Sequence, residues 1–160
     1  MKLLVILGIT VCFLSSFAFA SSQPETGTSV HLDVYKTATC GCCKKWISHL
    51  KQSDISVASQ DLPYLDVLKR DAGIAPAYRS CHTAFSVDGF AFEGHVPARF
   101  IHAFLASPPE DAIGLSVPGM PAGSPGMEMG DRFSPYKILL LKRDGSVSVF
   151  ASVETYEEQF

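Results

Sequence analysis

The sequence carries no excess of basic charge. Its 13 Lys and Arg face 16 Asp and Glu, for a net charge of −3. That leaves no electrostatic footprint for a nucleic-acid backbone, so nucleic acid is not expected as a partner. Disorder of the whole chain is excluded too, because only 18% of residues are charged while 47% are hydrophobic. There is no internal repeat and no linker of domain-separating length, and 160 residues is the size of one core. Beyond the first 20 residues no apolar run is long enough to span a bilayer.

Those first residues, MKLLVILGITVCFLSSFAFA, read as a cleaved secretory signal. Lys2 supplies the positive start, Leu3–Phe19 the apolar stretch, and Ala18-Phe19-Ala20 the small–x–small cleavage site. As a membrane anchor the run is short and has no charged stop-transfer flank. The expected location is therefore the periplasm, with no membrane attachment after cleavage. Residues 21–29 read as a flexible leader, 30–153 as one domain and 154–160 as a C-terminal tail.

Removing residues 1–20 takes away Lys2 and Cys12, so the net charge becomes −4 and four cysteines remain: Cys40, Cys42, Cys43 and Cys81. In an oxidising compartment the default for four thiols is two structural disulfides. The spacing argues against it. Three of the four fall within four residues, where cross-links constrain almost no chain entropy.

Val30–Lys36 alternates as a strand, and a helix starting at Cys42 carries Trp46, Ile47 and Leu50 on one face. Ile55–Asp61 reads as a second strand and Tyr64–Asp71 as a helix ending at Gly73. Thr83–Val87 and Phe90–Glu93 flank Asp88-Gly89, which predicts a hairpin with a type I′ turn. Pro97 opens a helix running to Ala106, residues 115–130 form a Gly/Pro/Met-rich loop, and Tyr136–Leu141 and Val147–Ala151 make a C-terminal hairpin. The order β-α-β-α-β-β-α predicts a thioredoxin-like α/β fold with an added Met-rich loop and hairpin. In that order the Cys40-Gly41-Cys42-Cys43 motif sits between the first strand and the first helix. The turn carrying Ser80-Cys81-His82 faces it.

A thiol at a helix N-terminus has its thiolate stabilised by unpaired N–H groups and the helix dipole, and Lys44 and Lys45 add positive potential. Cys40 and Cys43 have the C-x-x-C spacing of a reversible disulfide. Cys42 is superfluous to such a switch, but it suits a cluster with bridging sulfurs. Three readings follow: a four-thiol metal cluster of Cys40, Cys42, Cys43 and Cys81; a redox dithiol of Cys40 and Cys43; or plain structural disulfides. For a metal, the crowded thiols fit one tetrahedral zinc poorly and favour Cu(I). Met120, Met127 and Met129 all fall in one loop with little core to fill, where thioethers are available as soft ligands. His82 and His95 are candidate ligands or proton donors as well as candidate capping residues. His31, His49 and His102 read as structural or solvent-facing.

Four stretches together resemble a family of small exported bacterial metal-binding proteins of unknown function that includes the periplasmic copper-resistance protein CopG. They are Thr39-Cys40-Gly41-Cys42-Cys43-Lys44-Lys45-Trp46, Ser80-Cys81-His82-Thr83, Glu93-Gly94-His95-Val96-Pro97, and Val117-Pro118-Gly119-Met120-Pro121 continuing through Gly123-Ser124-Pro125-Gly126-Met127-Glu128. The resemblance implies a thioredoxin-like fold, copper held by Cys40, Cys42, Cys43 and Cys81, and a role in copper tolerance alongside other periplasmic copper-handling proteins. Met129 is an addition to the family's pattern. The expected function is Cu(I) binding by a protein able to hold more than one ion and to cycle their redox state. The alternative is a thiol–disulfide oxidoreductase using Cys40 and Cys43.

Overall fold

The computed structural model describes residues 29–160; the expected signal and nearly all of the expected leader lie outside the described residues. The chain forms a seven-stranded mixed sheet in the order β2-β1-β3-β4-β5-β6-β7. The strands are β1 (His31–Lys36), β2 (Ser56–Asp61), β3 (His82–Ser86), β4 (Ala91–Gly94), β5 (Ala112–Val117), β6 (Tyr136–Lys142) and β7 (Val147–Val153). The helices are α1 (Gly41–Gln52), α2 (Asp66–Asp71) and α3 (Ala98–Ala106). β1 runs parallel to β2 and antiparallel to β3, β3 pairs antiparallel with β4, and β4 runs parallel to β5. Among the described residues no helix is long and apolar enough to cross a membrane.

The main core forms where α1 and α3 bury their apolar stripes against the sheet. Trp46, Ile47 and Leu50 from α1 join Ile101 and Phe104 from α3, with Leu32, Val34, Phe92, Leu115 and Ile138 from the strands. Phe104 meets the Phe92 ring edge-to-face at 5.7 Å, a favoured aromatic geometry. Two histidines tie the helices together. His49 Nε2 accepts from the Ala98 N–H at 3.0 Å, satisfying a donor that the start of α3 would otherwise leave open. His102 Nε2 donates to Ser53 O at 2.9 Å.

Three local expectations need correction. First, residues 112–117 are a strand, so the loop begins at Pro118 rather than Leu115. β5 returns parallel to β4 through α3 and thereby joins the C-terminal hairpin to the same sheet. Gly114 obscures the strand in the sequence, since glycine weakens a strand pattern. It is required there, because a Cβ would lie 1.7 Å from Ala91 O. Second, the Asp88-Gly89 turn is not type I′, since Gly89 takes positive φ (82°) and Asp88 does not. Gly89 N–H donates to Ser86 O, and Ser86 N–H to Phe90 O, the pattern of a three-residue loop with glycine in the left-handed position. Third, α2 is shorter than expected, starting at Asp66.

The last residues are docked on the fold. Gln159 is fully buried, accepts from Tyr136 Oη at 2.7 Å and donates through Nε2 to Gly123 O at 3.0 Å. The C-terminus thereby anchors the Met-rich loop.

Candidate metal centre

The chain leaves β1 at Lys36, turns with Cys40 N–H donating to Thr37 O at 3.1 Å, and enters α1. Cys40 is the N-cap: its Sγ accepts from Cys43 N–H at 3.3 Å. Cys40, Cys42 and Cys43 therefore all stand at the positive end of the α1 dipole, with Lys44 and Lys45 exposed beside them.

Cys81 joins them from the turn before β3. Its Sγ lies 3.8 Å from Cys42 Sγ and 3.5 Å from Cys43 Sγ, while Cys40 and Cys42 sulfurs are 3.5 Å apart. All four sulfurs lie within 4.8 Å of one another, an arrangement that can hold a metal ion. Cys40 and Cys43 are joined as a disulfide, and Cys42 and Cys81 are free. Cys43 is fully buried and Cys40 partly exposed. Burial, reinforced by the neighbouring Cys42 thiol, pushes the Cys81 thiol up to about 12. Without a metal it is therefore a neutral S–H at ordinary pH.

Both motif histidines reach Cys81. His82 Nδ1 and His95 Nε2 each lie 3.3 Å from its sulfur, and the three residues form a second group with metal-ligand spacing. His95 Nδ1 is 2.8 Å from Pro125 O. A carbonyl only accepts, so Nδ1 carries the hydrogen. Burial holds His95 below its ordinary range, which leaves Nε2 as a bare acceptor aimed at Cys81. His82 is fully buried and held well below its ordinary range by that burial, with His95 and Lys69 adding to the effect. Its ring packs on Trp46 at 4.2 Å, and its Nε2 has no hydrogen-bond partner. Two imidazole nitrogens, His82 Nδ1 and His95 Nε2, beside the sulfurs make a donor set suited to a soft metal.

The Met-rich loop closes over the helix end. A Cβ on Gly126 (φ +89°) would lie 2.7 Å from Cys42 O and 2.8 Å from Trp46 N, so only glycine permits this approach. A shallow cavity of about 320 Å³ beside Cys42 is lined by Gly41, Lys45, Met127, Glu128 and Met129. Met120 does not line it and is 53% exposed. His31 bonds Ser56 Oγ at 2.8 Å, away from this site, and His49 and His102 serve the helix contact described above.

Two residues that sequence reasoning missed lie beneath Cys81. Lys69 and Glu93, 4% and 0% exposed, form an ion pair. Burial raises the Glu93 carboxyl while Lys69 opposes the shift. The available signal was Lys69 falling four residues after Leu65, on the buried face of α2.

Residues 78–127, which carry Cys81, His82, Glu93 and His95, match the family model described as protein of unknown function DUF411. Two solved structures described as copper resistance protein CopG, forms 1 and 2, are each 41% identical to the chain. Their TM-scores are 0.74 and 0.73; the matches cover 79% and 78% of this chain and 99% and 98% of theirs. The chain belongs to the CopG-like DUF411 family. No curated protein sequence matches it. Within the CopG-like DUF411 family model fall the turn bearing Cys81 and the loop bearing Met127, whereas the Cys40–Cys43 motif lies before it.

Proposed function

We propose that the protein binds copper as Cu(I) between Cys40, Cys42, Cys43 and Cys81, and that it serves copper homeostasis and resistance in the periplasm. The observation that carries this reading is the convergence of four sulfurs within 4.8 Å. Soft thiolates favour Cu(I), and crowded sulfurs can bridge more than one ion. The family relationship to a copper resistance protein supports the same metal. His82 and His95 are further ligands on this reading, with Met127 and Met129 lining the way to Cys42. Bound copper would supply one-electron redox chemistry. The protein's residues supply the soft cage, the buried imidazoles and the loop that limits access.

Four-thiolate binding requires the Cys40–Cys43 disulfide to be reduced first. Residues 1–20 act as the export signal, and other periplasmic copper-handling proteins deliver or receive the ion. Metal analysis of protein reduced and purified without oxygen, with a thiol count before and after loading, tests the proposal. It predicts copper bound with all four thiols withdrawn from titration; metal-free protein with four reactive thiols contradicts it.

A second reading has its own support. The Cys40–Cys43 disulfide at the start of α1, beside a sheet in the order β2-β1-β3-β4, supports the alternative of a thiol–disulfide oxidoreductase. There the more exposed Cys40 attacks and Cys43 resolves. Insulin reduction by the chain, retained in Cys42→Ser, is its signature.

A further inference from the structure

The ion pair beneath the cluster has more to do than stabilise the fold. A buried ion pair is weak support for stability, since desolvating both charges offsets much of their attraction and a pair of apolar residues packs as well. Here the pair's other partners, Ser80 and Thr83, flank Cys81 in the chain. Lys69 Nζ donates both to Glu93 Oε1 and, at 3.0 Å, to Ser80 O. Glu93 Oε1 accepts from Ser80 N–H at 2.5 Å, and Glu93 Oε2 accepts from Thr83 Oγ1 at 2.6 Å. Both backbone polar groups of the residue preceding Cys81 are thus held by opposite ends of one ion pair.

The next two residues of the same strand end continue the hold. A Cβ on Gly94 would lie 2.6 Å from Ser80 Cβ, so glycine is what lets the two backbones approach. His95 Nε2 touches Cys81 Sγ. Ser80 Oγ in turn donates to Gly119 O at 2.6 Å, fixing the start of the Met-rich loop.

We propose that Lys69 and Glu93 are positioning residues, whose ion pair grips Ser80 by its N–H and C=O and thereby sets the Cys81 sulfur against Cys42 and Cys43. Its consequence for copper rests on the reading above, but the placement itself does not. Cys81 sits in a turn, where no ladder of strand or helix bonds would fix it. The grip replaces that ladder.

The test contains no metal. In the full chain carrying Cys12→Ser, Cys40→Ser and Cys42→Ser, the remaining thiols are Cys43 and Cys81. Equilibration with a glutathione redox buffer gives their effective concentration for disulfide formation, each bond made reducing one glutathione disulfide to two glutathiones. Glu93→Gln with Lys69→Met removes both charges together, so no lone ion is left buried. The proposal expects this pair of changes to lower the effective concentration roughly tenfold or more, because small misplacements cost reactivity steeply. Circular dichroism shows whether the protein remains folded. A merely structural ion pair would lower the melting temperature and leave the effective concentration of the folded protein unchanged, which would overturn the proposal. Should the double variant not fold, Thr83→Val frees one Glu93 oxygen and keeps a branched residue in β3. It should lower the value about threefold, and no change there overturns the proposal equally. Copper loading of the same substitutions in the four-thiol chain is read separately. A fall in effective concentration with unchanged copper binding would leave the grip standing and remove Cys81 from the copper site.

Discussion

Cys81 Sγ lies 3.5 Å from Cys43 Sγ although 38 residues separate them. The contact exists because β3 pairs antiparallel with β1, setting Lys36 opposite His82. The chain leaving β1 toward the Cys motif and the chain arriving at β3 through Cys81 therefore meet at one end of the sheet. If the sulfurs share a metal, Cys81→Ser should weaken Cu(I) binding roughly 10- to 100-fold or more, about as badly as Cys42→Ser. Competition with a coloured Cu(I) chelator measures it. The fold should survive, since the core lies with Trp46, Phe92, Ile101 and Phe104.

Gly126→Ala tests whether the loop's closeness matters. Its φ of +89° and the 2.7 Å approach of a Cβ to Cys42 O should together cost about 1–3 kcal/mol. The loop should lift from α1, seen as faster hydrogen exchange over residues 123–127 and easier access of a thiol reagent to Cys42. Gly130, whose Cβ would meet nothing within 4 Å, also has positive φ and serves as the control: Gly130→Ala should leave Cys42 as protected as before.

The strands and helices that carry the cysteines were legible because their apolar residues repeat at strand or helix spacing. Trp46, Ile47 and Leu50 mark the α1 face, and Leu32 and Val34 mark β1. The meeting of Cys81 with the Cys motif followed from element order alone. The Lys69–Glu93 pair was not legible, because charged residues default to the surface; the spacing of Lys69 from Leu65 marks a buried face but does not show Glu93 as its partner. β5 was hidden by Gly114, whose need appears only once Ala91 O lies against it. The choice among the methionines was equally hidden: loop turns at Gly119, Gly123 and Gly126 decide that Met129, not Met120, lines the cavity beside Cys42.

His49 predicts a pH dependence away from the cysteines. Burial lowers its pKa below the ordinary 6.5, while Glu128 opposes the shift, and its neutral Nε2 accepts from Ala98 N–H; the Phe160 ring stacks edge-on at 5.8 Å. As pH falls below 6.5 the unfolded chain takes up a proton that the folded chain resists. The stability this residue contributes is thus present above 6.5 and lost as pH falls through its folded pKa. The lost cap is worth about 1 kcal/mol. Urea titrations of metal-free protein between pH 7.5 and about 5 should show the decline, and His49→Gln, whose amide oxygen can accept without titrating, should make it shallower, the rest coming from the buried His82 and His95. An equal slope in the variant would assign the decline elsewhere.

Met127→Leu with Met129→Leu separates copper handling from disulfide exchange. Leucine nearly preserves methionine's size and apolarity, so a large effect must come from the lost sulfur. Copper transfer from a chelator to the reduced protein should slow, while insulin reduction stays unchanged. Met120→Leu, outside the cavity, should change neither. Equal transfer rates in all three proteins would remove the thioethers from the access path.

The most direct test of the copper reading is competition between Cu(I) and Zn(II) for the reduced, oxygen-free protein, followed by metal content and free thiol count. Cu(I) should displace zinc completely, with Cys40, Cys42, Cys43 and Cys81 all protected from alkylation by the bound copper. Zinc retained against excess Cu(I), or four thiols alkylated as fast with copper as without it, would contradict the account.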